Sequence, residues 1–129
     1  MKCFTLTNAV MSKVVYCASK LKGDEGFYRV KAYEDNKVLF TLEGTESYTK
    51  NERIGLVALR DAVLSIQEEG GVIYTDSEYA YDCVKGGDHR KNKDVMHVIK
   101  DAMSRRIEVN MVKKGDRRYH SLQKELSLL

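Results

Sequence analysis

Hydrophobic and polar positions alternate with a period of two between Lys13 and Gly44. The clearest stretch sets Tyr28, Val30 and Ala32 against Phe27, Arg29, Lys31 and Tyr33, the pattern of a strand in an antiparallel meander. Similar runs start at Lys13 (Lys-Val-Val-Tyr-Cys-Ala) and Lys37 (Lys-Val-Leu-Phe-Thr-Leu-Glu-Gly). A Gly/Asp/Glu turn and Glu34-Asp35-Asn36 separate the three. Residues 13–44 therefore predict three hairpin-linked strands. The opening Lys2-Cys3-Phe4-Thr5-Leu6-Thr7 reads either as a further strand or as the first one.

From Asn51 the period changes. Ile54, Val57, Ala58, Ala62 and Ile66, with the adjoining Leu59 and Val63, fall at three- and four-residue spacing. This predicts a helix over 51–69 that Gly70-Gly71 stops. Val72-Ile73-Tyr74-Thr75 is a short apolar strand of the buried parallel type. A short helix (78–84), a basic loop, an amphipathic helix (94–105), a strand (107–112) and a final helix (about 118–128) follow. The order β-β-β-α-β-α-α-β-α predicts a mixed α/β fold, a five-stranded sheet with helices on its faces.

Composition narrows the class. A chain of 129 residues, 43% hydrophobic and 32% charged with no proline, predicts one linkerless globular domain over 1–129 able to bury its own core. Thr and Asn interrupt the first residues before a signal-peptide core forms. No run approaches the roughly 20 apolar residues of a membrane helix, so a cytoplasmic protein without a membrane partner is expected. Cys3, Cys17 and Cys83 never pair as CxxC, and His89, His97 and His120 are scattered. Spacing thus offers neither a zinc site nor a disulfide framework, and no nucleophilic triad can be read from it.

The net charge of +3 conceals an asymmetry. Residues 34–82 hold four basic and eleven acidic side chains, whereas residues 85–118 hold eleven basic and five acidic. The basic half concentrates charge at Arg90, Lys91 and Lys93 and again at Lys113, Lys114, Arg117 and Arg118. Such density can bind phosphate backbones by releasing counterions, although solvated loops look the same on charge alone. Eight tyrosines against three phenylalanines suit a partly wet contact surface, as they also suit an ordinary sheet.

Thr75-Asp76-Ser77-Glu78-Tyr79, at the end of the fourth strand in this order of elements, resembles the Thr-Asp-Ser-x-Tyr of type 1 ribonuclease H. Three other pieces keep register with it. Thr49-Lys50-Asn51 with Leu56-Val57-Ala58-Leu59 is similar to the family's Thr-Asn-Asn entry and Val-Ala-Leu core. Asn92-Lys93-Asp94-Val95 is similar to its Asn-x-Asp-Leu, and Val112-Lys113-Lys114-Gly115 to its Val-Lys-Gly-His. The resemblance implies a ribonuclease H-like fold and a chemistry of four carboxylates holding two Mg²⁺ about 4 Å apart.

Carrying the four over residue by residue, only the third has a match, Asp76. The first falls on Leu6, Cys17 or Ala18, and the second on Ile54 or Asn51. Glu52 is rotated by about 200° from position 54 on a helix. The fourth falls on Lys124 of Lys124-Glu125-Leu126, and the loop histidine is also missing. Asp76 and Asn51 each have a plain alternative as helix caps or turn residues.

The expectation is a ribonuclease H-like domain that has lost two-metal hydrolysis, needs no cofactor and binds RNA or an RNA/DNA hybrid. The contacts would come from Asn51, which matches a backbone-contacting asparagine of the family, and from the basic residues above. Two alternatives stay open. One is an active Mg²⁺-dependent hybrid nuclease that recruits Glu52, Asp82 or Asp116. The other is a protein-interaction or self-assembling module, with a homo-oligomer formed by pairing at an exposed sheet edge.

Overall fold

A computed structural model describes residues 13–129. The strand considered over Lys2–Thr7, and Leu6 with it, lie outside the described residues. The elements are β1 (Val14–Lys22), β2 (Glu25–Glu34), β3 (Lys37–Glu46), α1 (Asn51–Ser65), β4 (Gly71–Thr75), α2 (Glu78–Val84), α3 (Lys93–Ala102), β5 (Ile107–Met111) and α4 (Arg117–Ser127). A single 3₁₀ turn over Arg90–Asn92 leads into α3. This is the order read from the sequence.

The five strands form one sheet in the order β3-β2-β1-β4-β5. β1, β2 and β3 pair antiparallel, and β4 joins β1, and β5 joins β4, in parallel. Tyr28, Val30 and Ala32 of β2 point to one face, where with Val15, Cys17 and Ile73 they meet the buried side of α1 and, beyond it, α2 and α3. On the other face Tyr16, Ala18 and Tyr33 meet Leu122 and Leu126 of α4. Because both faces of β2 are covered, its polar alternates are used internally. Arg29 and Lys31 both bind Glu125 of α4.

Two helices end before the sequence suggests. α1 stops at Ser65 rather than 69, and the chain turns through Gly70, whose φ of +85° suits glycine. A Cβ there would also stand 2.6 Å from the Arg106 carbonyl oxygen, so the chain passes too close to Arg106 for a side chain. α3 stops at Ala102 rather than 105 because Met103 is already extended. Apolar periodicity continues past each end, but backbone geometry decides where the helix closes.

Arg53 ties the start of α1 to two other elements. It donates to Glu46 at the end of β3, and to Asn92 and Asp94 at the start of α3. Asn92, 5% exposed, passes the connection on by donating to the Tyr79 hydroxyl at 2.8 Å. The basic loop before α3 is thereby fixed against α1 and α2.

Ile54, one of the two positions onto which the resemblance carries a carboxylate, is fully buried in the main core. Truncation there leaves a cavity under α1. Ile54→Ala is expected to cost about 2–5 kcal/mol, read as a lowered urea midpoint with an unchanged slope.

Candidate functional site

Parallel pairing puts the polar loops at one end of the sheet. Cys17 is level with Thr75, so Ala18-Ser19 and Asp76-Ser77 lie side by side where the two strands part. The same end carries the β1–β2 hairpin, the exit of β3, the first turn of α1 and the loop from β5 to α4. The carboxyl end of parallel strands is where open α/β sheets gather their binding residues. An open cleft of about 400 Å³ lies there, lined by Ser19, Asn51, Glu52, Asp76, Ser77, Glu78 and Tyr79.

The Asp76 carboxylate accepts a hydrogen bond from the Tyr119 hydroxyl at 3.0 Å, and the backbone N–H groups of Asp76 and Ser19 also favour its charged form. Burial disfavours its charge and outweighs these contributions, lifting its pKa to about 6. The same burial, with the negative charge of Asp76 beside it, pushes the Tyr119 phenol up. Asp76 does not cap α2: Ser77 is the N-cap, its hydroxyl accepting from the Ala80 N–H at 3.1 Å. Asn51 is the first residue of α1, following the N-cap Lys50, and is exposed toward the cleft.

The side of α1 that meets this end is set by neither Ile54 nor Asn51. It is Gly55, where a Cβ would stand 2.5 Å from Ser77 Oγ and 3.6 Å from Ser19 Oγ. Lys124 is likewise displaced from the cleft. It is exposed near the end of α4, while Tyr119, five residues earlier, reaches Asp76. The sequence reading missed both Gly55 and Tyr119 because it sought acids by motif, and a glycine and a tyrosine carry no acid to match.

Other acids have different employment. Asp116 accepts from the Tyr16 hydroxyl at 2.6 Å and from the N–H groups of Arg118 and Tyr119 as the N-cap of α4. The contact with Tyr16, together with the cap bonds, holds its carboxyl below the usual range. Asp82 is an exposed residue of α2 and does not line the cleft. Glu52 does line it, and also lines an adjoining hollow with Tyr79, Asp88, Arg90 and Lys91.

The basic residues divide into two groups. Arg90 is held by Asp88, and Arg118 lies 4.0 Å from the centre of the Tyr33 ring while donating to the Asp35 carbonyl. Lys91, Lys93, Lys113, Lys114 and Arg117 are exposed and make no ion pair among the described residues. The hollow shared with Glu52 and Tyr79 brings Arg90 and Lys91 to one side of the cleft. Lys113 and Lys114 follow β5 at the same end of the sheet.

No protein-family model matches the sequence, and no curated protein matches it. Solved structures do match the fold. The N-terminal RNase H domain of Rv2228c from Mycobacterium tuberculosis, solved as a fusion with maltose-binding protein, superposes with a TM-score of 0.74 at 14% identity, over 91% of this chain and 94% of that one. The prototype foamy virus protease-reverse transcriptase superposes with a TM-score of 0.68 at 11% identity, over 91% of this chain. This chain spans 20% of the length of the viral protein. The chain has a ribonuclease H-like fold.

That fold implies two Mg²⁺ ions, and the residues present do not fit them. Ala18 beside Asp76 offers no oxygen ligand, and Ser77 fills the space where a side chain at position 55 would start. Tyr119 donates to one oxygen of the Asp76 carboxylate. Among the described residues no three His, Cys, Asp or Glu side chains come together in a group that could hold a metal ion. A hard divalent cation needs such an oxygen cluster.

An aspartate whose pKa rises from 3.8 to about 6 on folding binds its proton more tightly in the folded chain. Its contribution to stability is full below about pH 4, is lost as the pH rises to about 6, and is absent above that. Asp76→Asn, which does not ionise, is expected to exceed the parent chain in stability by about 1–3 kcal/mol near pH 7.5. The gap should close near pH 3.5 or so; urea titrations across this range check it, and a gap independent of pH would contradict the assignment.

Proposed function

We propose that this ribonuclease H-like domain binds nucleic acid across the carboxyl end of its parallel strands and does not hydrolyse it by the two-metal route. One observation carries the second half of the reading. The elements that border Asp76 bring Ala18 on β1, Gly55 of α1 against Ser77, and Tyr119 on α4. Although Glu52 and Glu78 line the same cleft, no three acids among the described residues come together as a metal group. Asp76 serves in this reading as a buried acid held by Tyr119, not as a metal ligand.

Support for the first half comes from the surface. Asn51 opens the cleft, Arg90 and Lys91 flank it on the α2 side, and Lys113, Lys114 and Arg117 follow the adjacent strand β5. Lys91, Lys113, Lys114 and Arg117, which make no ion pair among the described residues, are free to neutralise phosphates, whereas Arg90 shares its charge with Asp88. The similar structures are named as an RNase H domain and a reverse transcriptase, and both names denote work on nucleic acid. RNA or an RNA/DNA hybrid is the expected ligand, recognised through backbone shape and charge.

Fluorescence anisotropy with labelled RNA, DNA and hybrid should show binding that weakens by roughly 100-fold between about 50 and 200 mM salt. A combined Lys113→Glu, Lys114→Glu and Arg117→Glu variant should lose most of it. A gel assay with Mg²⁺ or Mn²⁺ should leave the hybrid intact. Cleavage that Asp76→Asn abolishes would instead establish the divergent nuclease.

Self-association has one observation in its favour. Among the described strands β3 is the ten-residue edge strand, with Val38, Leu39 and Leu42 exposed and no proline to interrupt it. Antiparallel pairing of two copies about the Thr41–Leu42 step would set Lys37 opposite Glu46 of the second copy. Light scattering should then give a mass that rises with concentration and returns to the monomer value in Leu42→Lys; a constant monomer mass would remove this reading.

A further inference from the structure

Tyr48 is held in a backbone conformation that its side chain makes unfavourable, and the fold gains no packing in return. Its φ is +55°, in the left-handed region that suits glycine and, less well, asparagine and aspartate. Asp35, with a φ of +56°, is the ordinary case, an Asp in a tight hairpin. Tyr48 is 88% exposed and has no aromatic, cation or hydrogen-bond contact with another described residue.

The loop carrying it is nonetheless firmly placed. The Thr49 N–H donates to the Asp24 carbonyl at 2.9 Å, and the buried Thr49 hydroxyl donates to Glu46 at 2.7 Å. Ser47 donates to Glu25 on the other side. A phenol ring therefore stands out from a fixed point three residues ahead of Asn51, two positions before the exposed Lys50, at the sheet end that holds the Asp76 cleft. Local strain kept at an exposed position signals a use outside the fold.

We propose that Tyr48 is a stacking platform for an unpaired base of a nucleic acid strand bound along this end of the sheet. The inference rests on the nucleic-acid reading above and adds its ligand form, a single-stranded segment. An aromatic face beside lysines that track the backbone is how proteins hold single strands without reading their sequence, because every base offers a π-face. A rigid ring on an anchored loop also loses little freedom when a base settles on it.

The chain has no tryptophan, so Tyr48→Trp places the only indole at this point. Its emission should be quenched on saturation with oligo(rU) or oligo(dT), and should stay unchanged with a blunt-ended hybrid. Tyr48→Ala should weaken single-strand binding by roughly 5- to 100-fold while leaving the dependence on salt as it was. Tyr48→Gly should bind as weakly as Tyr48→Ala yet melt at the same temperature as the parent or higher, since glycine relieves the backbone. Unaltered indole emission from the Tyr48→Trp variant in a complex that anisotropy shows to be formed, or full affinity in Tyr48→Ala, would overturn the platform and leave nucleic-acid binding standing. No binding by the parent chain would overturn both.

Discussion

The parallel pairing of β1 with β4 is the constraint on which the rest of the molecule hangs. Antiparallel strands can be joined by a tight turn, but a parallel partner must be reached by a crossover that returns the chain to its starting end. β2 and β3 leave the chain at the carboxyl end of β1, and α1 carries it back across the sheet before β4 begins. Covering β1 and β2, that helix becomes the main contributor to the core. The β1–β2 hairpin, the α1 entry, Asp76 and the β5–α4 loop then gather at one end because the register leaves them nowhere else.

Charge is distributed under the same constraint. A sheet covered on both faces has to place the polar alternates of β2 somewhere, and α4 answers Arg29 and Lys31 with Glu125. Arg53 similarly collects Glu46 and Asp94, whose carboxyl is lowered to about 2 by the guanidinium. Within the acidic middle of the sequence, Glu43 holds Arg29, Glu46 holds Arg53, Asp61 accepts from Tyr28 and Glu69 pairs with Lys13, so part of that charge fastens elements together. The lysines of the β5–α4 loop face solvent without such partners among the described residues, which is why the second half of the chain carries the surface field.

The sequence made the fold legible because its signals were local and repeated. The alternation in β2, the three-four spacing of α1 and the Thr-Asp-Ser turn each mark their element within a few residues. Helix ends were less legible, since Gly70 and Met103 act through backbone angles and close approaches that apolar spacing does not encode. The surroundings of Asp76 were legible only in part. The resemblance offered Leu6, Cys17 or Ala18 for the first carboxylate's place, and strand pairing sets Ala18 beside Asp76. Gly55 and Tyr119, however, reach this end through crossing geometry: a helix passing over a strand end, and a side chain reaching from a helix 43 residues away. Motif matching aligned Ile54 and Lys124 instead, each displaced from the residue that the packing selects.

The contact between Gly55 and Ser77 couples two positions of the cleft. A side chain at 55 would collide with Ser77, and Ser77 is the hydroxyl that caps α2. An acid at position 55 itself would therefore require the Ser77 cap to be displaced as well, and either change made first leaves a less stable chain. Residues 55 and 77 thus constrain each other as a pair, and this corner of the cleft resists change at either position alone.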